Sequence, residues 1–80
     1  MTKEDLINFL ISYAVDRMSE YLVQDYNMPL QEALDLIYNS QTYRNLTNSE
    51  SGLYKESPSY HYYNLIKECN LPMPKDMVRG

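Results

Sequence analysis

The sequence predicts an all-α fold, a small three-helix domain, on three observations. Apolar residues recur at helical spacing in three separate stretches, and prolines 29, 58 and 72 fall where helices begin or stop. No alternating run of four or more residues offers a strand. The helices are placed over about 2–26, 29–40 and 58–69. A polar loop covers 41–57 and a C-terminal tail covers 72–80, so residues 1–71 read as one helical domain.

The first helix has the clearest start. Thr2 suits the N-cap, Asp5 stands in for the acid of a capping box, and Glu4 and Asp5 favour the positive end of the helix dipole. From Leu6 onward the apolar residues cover an arc of roughly 200–240°. Ile7, Ile11, Ala14, Met18 and Tyr21 repeat within it at four-three spacing, the seam of a helix packed lengthwise on another, and Leu6, Leu10 and Tyr13 flank that seam. So wide an arc serves two packing surfaces, either one within the chain and one across a dimer axis or two neighbours in the same domain. Asn27-Met28-Pro29 ends the helix near Tyr26.

Pro29 fits the first position of the second helix, where its missing N–H costs nothing. Leu30, Ala33, Leu34, Ile37 and Tyr38 then follow at i, i+3, i+4, i+7 and i+8. Within the polar middle, Tyr43 and Leu46 can anchor a short helical turn, and Gly52 is free to take positive φ. Leu53 and Tyr54 tack this segment onto the helices.

The third helix opens at Ser57-Pro58, an N-cap followed by proline, and carries Tyr62, Leu65, Ile66 and Cys69 at core spacing. Asn70 suits the left-handed position after the helix, Leu71 its accompanying hydrophobic contact, and Pro72 blocks continuation. In the tail only Met73, Met77 and Val78 are adhesive.

Composition narrows the function. Eighty residues bury only about 60% of the surface exposed when unfolded, so a partner or a self-dimer is expected. Seven Lys and Arg against eleven Asp and Glu give a net charge of -4, which disfavours nucleic acid as a partner. One Cys excludes an internal disulfide framework and a thiolate metal cluster. Neither a signal-peptide core nor a span of about 20 apolar residues is found, so the expectation is a cytoplasmic chain with no membrane contact.

Candidate chemistry is sparse. Cys69 lies on an apolar stripe and reads as a small buried hydrophobe. His61, eight residues earlier, is about 12 Å away along a helix and cannot pair with it there; it reads as a solvent-facing or interface residue. Asp16 and Glu20 lie on a solvated polar face, and no phosphate loop, EF-hand or zinc-protease motif is present. The expectation is no enzyme activity, no cofactor and no metal. The remaining signal is nine Tyr with one Phe and no Trp. Tyr54, Tyr60, Tyr62 and Tyr63, with Tyr38 and Tyr43, could gather into a ring-rich interaction surface or cap a small core.

The run Gln31-Glu32-Ala33-Leu34-Asp35-Leu36-Ile37-Tyr38-Asn39-Ser40-Gln41-Thr42-Tyr43, with Gly52-Leu53-Tyr54 and Ser57-Pro58-Ser59-Tyr60 after it, resembles a group of short bacterial all-helical proteins of unknown function. The resemblance covers about residues 3–69, and its motifs are structural. Some members are encoded beside toxin-like genes, including ADP-ribosyltransferase-like ones, which implies an antitoxin or accessory role. Taken together, the expected function is a protein-interaction module, binding a protein partner, a second copy or both. Its candidate interface is Ile7, Ile11, Ala14, Met18, Tyr21, Tyr54, Tyr60, Tyr62 and Tyr63. The alternatives are a DNA-binding regulator, which the lack of Lys or Arg in the second helix disfavours, and a small-ligand pocket built around His61 and a carboxylate.

Overall fold

The computed structural model describes residues 2–74. It contains four helices, α1 (Lys3–Tyr26), α2 (Leu30–Tyr38), α3 (Gln41–Thr47) and α4 (Pro58–Glu68), with 3-10 turns at Ser49–Ser51 and Leu53–Lys55 between the last two. Among the described residues there is no strand, so the all-α class holds. The helix count does not. The segment expected as a polar loop is mostly helical, because the start of α3 is held by Ser40 and by Glu68 of α4.

Helix α1 starts as its sequence dictates. The Thr2 hydroxyl accepts from the Asp5 N–H at 3.1 Å, and the Asp5 carboxylate accepts from the Thr2 N–H at 3.4 Å, closing the capping box. At the other end Asn27 takes the left-handed conformation, φ 54°, and the chain turns into α2. A helix of 24 residues is about 36 Å long, so α1 alone sets the 37 Å long dimension of the molecule. Pro29 sits one position earlier than expected, as the extended residue before α2, with ψ 144°.

Ser40 serves two helices. Its hydroxyl donates to the Ile37 carbonyl at 2.6 Å, near the end of α2, and accepts from the Tyr43 N–H at 3.0 Å, the start of α3. Gln41 and Thr42, whose N–H groups have no partner within α3, donate to the two Glu68 carboxylate oxygens at 2.7 and 2.9 Å; the Thr42 hydroxyl adds a third bond at 2.8 Å. Gly52 takes φ 70° between the two 3-10 turns, as its position requires.

Helix α4 begins on Ser57, which accepts from the Tyr60 N–H at 3.2 Å, with Pro58 at its first position. Its end follows the sequence reading closely. Asn70 is left-handed at φ 56°, its N–H donates to the Lys67 carbonyl at 3.2 Å, and the Leu71 N–H reaches back to Ile66 at 3.1 Å. That bond pair is a Schellman stop.

All four helices feed one core. Ala14, Val15, Met18 and Leu22 of α1 meet Ala33 and Ile37 of α2, Leu46 of α3, and Tyr62, Leu65 and Ile66 of α4. Cys69 packs half-buried against this core at the end of α4. Burial, helped by the Glu68 charge, raises its thiol pKa, so it stays protonated at neutral pH. The tail begins docked, since the Tyr26 hydroxyl donates to the Pro72 carbonyl. Residues 75–80, including Met77 and Val78, lie outside the described residues.

Candidate functional site

Helix α1 decides which surfaces are left for function. Its buried residues, Ala14, Val15, Met18, Ser19 and Leu22, all lie from the middle of the helix onward, on one side. At about 100° per residue, Leu6, Phe9, Tyr13, Asp16 and Glu20 point the opposite way, and all five are exposed. The apolar three are open to a degree unusual for such side chains, at 46%, 59% and 48% of their surface. Half-buried Leu10 borders them. The surplus apolar arc of α1 is therefore uncovered along its first three turns, and Asp16 and Glu20 terminate it.

The predicted interface residues divide. Ala14 and Met18 are 3% and 0% exposed, and Tyr62 is 1% exposed; these three belong to the chain's own core and offer nothing to a partner. The four-three seam of α1 is filled from within because α2 and α4 lie along it. Ile7 and Ile11 are half-buried and line an open groove of about 450 Å³ with Lys3, Glu4, Thr47 and Ser49. Tyr21 is half-buried with its ring 4.9 Å from that of Tyr62. Tyr60 and Tyr63 are exposed on the outside of α4, where the Lys67 ammonium lies 5.0 Å from the Tyr63 ring. Tyr54 is half-buried.

The six tyrosines between 38 and 63 do not form one surface. Tyr38 and Tyr43 pair edge to face at 5.1 Å, beside Ile11, Val15 and Asp16. Tyr62 turns inward, and its hydroxyl donates to the Asp25 carboxylate at 2.6 Å, joining α4 to the end of α1. Phe9, the most exposed of the large apolar side chains among the described residues, escaped sequence reasoning. The signal for it was present: position 9 lies in the apolar arc but off the seam.

His61 also moves. Expected at the surface, it is 2% exposed, because α4 buries His61 and Tyr62 as well as Leu65 and Ile66, a stripe wider than the spacing of Tyr62, Leu65 and Ile66 implies. Its Nε2 finds no hydrogen-bond partner among the described residues. Burial lowers the imidazole pKa; the Leu53 backbone and the charge of Glu56 oppose this without reversing it. The adjoining cavity is about 70 Å³ and is lined by Thr42, Asn45, Leu53 and Asn64, so no carboxylate shares it with His61. The described residues include no group of three His, Cys, Asp or Glu placed to hold a metal.

No described helix is long and apolar enough to cross a membrane. No family model, curated protein or solved structure matches the chain.

Proposed function

We propose that the chain is a non-enzymatic protein-interaction module, acting as the antitoxin-like or accessory partner of a neighbouring gene product. One observation carries the reading: the uncovered row of Leu6, Phe9 and Tyr13 on the side of α1 opposite the core. Large apolar side chains gathered on one face, rather than scattered singly, mark surfaces that meet other proteins. Phe9 and Tyr13 supply ring area with few rotatable bonds, and Tyr13 keeps a hydroxyl for orientation. The net charge of -4 steers the chain toward a basic partner and accelerates encounter at low salt. The test is titration calorimetry of the full chain with the product of the adjacent gene. Binding is expected, weakened by Phe9→Asp and by added salt; absence of heat at any salt concentration would refute the reading.

A further inference from the structure

We infer that the occupant of the bare α1 face is a second copy of this chain, docked antiparallel across a two-fold axis between Phe9 and Leu10. The inference rests on the interaction-module reading and names one partner for it. A two-fold interface must be self-complementary, each residue i meeting j while j meets i. An antiparallel helix pair centred between positions 9 and 10 meets that condition with apolar residues alone: Leu6 of each copy falls opposite Tyr13 of the other, and Phe9 opposite Leu10. The same crossing sets Asp16 level with Lys3 of the other copy, on a turn that also carries Glu4 and Asp5. A parallel pair would instead stack Asp16 on Asp16 and Glu20 on Glu20.

The area is consistent with a reversible dimer. Aromatic side chains cover about 150–250 Å² each. Leu6, Phe9 and Tyr13, each about half exposed, leave on the order of 300 Å² of apolar surface per copy. With Leu10 and the flanking side-chain stems, a helix crossing here removes roughly 500 Å² from each copy, at the low end of specific interfaces. Association is expected in the micromolar range, with monomer and dimer both populated.

Sedimentation equilibrium of the full chain, from about 1 to 300 µM, tests this. The expected result is a concentration-dependent rise from the 9.5 kDa monomer mass toward twice that value. Phe9→Asp and Tyr13→Asp should each weaken association at least tenfold while circular dichroism and melting temperature stay close to the parent's. Orientation is read by oxidative cross-linking in a Cys69→Ser background. A mixture of Leu6→Cys and Tyr13→Cys chains should cross-link more than either chain alone. Self-linking of Leu6→Cys in preference to the mixture would overturn the antiparallel pairing. A purely monomeric chain, or a dimer indifferent to both aspartate variants, would overturn the second copy as occupant. If that monomer still binds the adjacent gene product and Phe9→Asp weakens the binding, the module reading survives and only the self-dimer falls. If it binds neither, both fall.

Discussion

Two residues show how burial turns ordinary side chains into stability determinants. His61 is neutral in the folded chain because its imidazole has lost water, so its pKa lies below the ordinary 6.5. Above that value both folded and unfolded chains hold it neutral, and pH does not matter to it. As pH falls through 6.5 the unfolded chain takes a proton that the folded chain resists, so stability drops. Urea unfolding at pH 7.5 and 5.5 should show this loss, and His61→Gln should flatten it; equal slopes in parent and variant would contradict the account. Tyr62 is the other case. Its ring fills the core while its hydroxyl bonds to Asp25, and Tyr62→Phe keeps the first contribution and removes the second. The expected cost is about 1 kcal/mol in urea unfolding.

At the scale of elements, α3 is the instructive helix. Seven residues are too few to be stable alone, since nucleation is unfavourable and little propagation follows. Its amino-terminal N–H groups are satisfied by Ser40 from one side and by Glu68 from the other. Glu68 experiences some desolvation, which raises its pKa. The bonds from Gln41 and Thr42, with the charge of Arg44, outweigh that and leave the carboxyl below its ordinary value of 4.5. The stability this carboxylate contributes is present above pH 4.5 and is lost as pH falls through its lowered value. Glu68→Ala should cost about 1 kcal/mol, as loss of a helix cap does, read as a lower urea midpoint at pH 7. At the end of α4, Asn70→Ala places a Cβ-bearing residue without a favourable side-chain bond at φ 56°, and about 1 kcal/mol of destabilisation is expected. Asn70→Gly should leave the melting temperature within a few degrees of the parent's, because glycine takes that conformation freely.

For the whole molecule, stability rests on one small core that every helix shares, so Leu46→Ala is expected to cost about 2–5 kcal/mol through the cavity it leaves. A domain of this size has only about 4–12 kcal/mol in total, and a melting-temperature drop of more than 10 °C is the measurable consequence. Substitutions on the bare face, such as Phe9→Asp, should leave the melting temperature of the monomer nearly unchanged. The all-α class, the capping box at Thr2, the Ser57-Pro58 start and the left-handed Asn70 were legible in the sequence, because each depends on residues within a few positions of one another. The apolar surplus on α1 was legible too, as an arc too wide for one contact. Three features were not: the growth of the turn expected at Tyr43 and Leu46 into the full helix α3, whose amino-terminal N–H groups are paired by a glutamate 26 residues away; the inward turn of His61; and the choice of which part of the α1 arc stays open. Local spacing fixes where helices begin, end and turn greasy, since those are short-range properties of backbone and side chain. Which greasy side meets a neighbour depends on where the other helices come to rest. Here α2 and α4 settled on Ala14 and Met18, leaving Leu6, Phe9 and Tyr13 exposed.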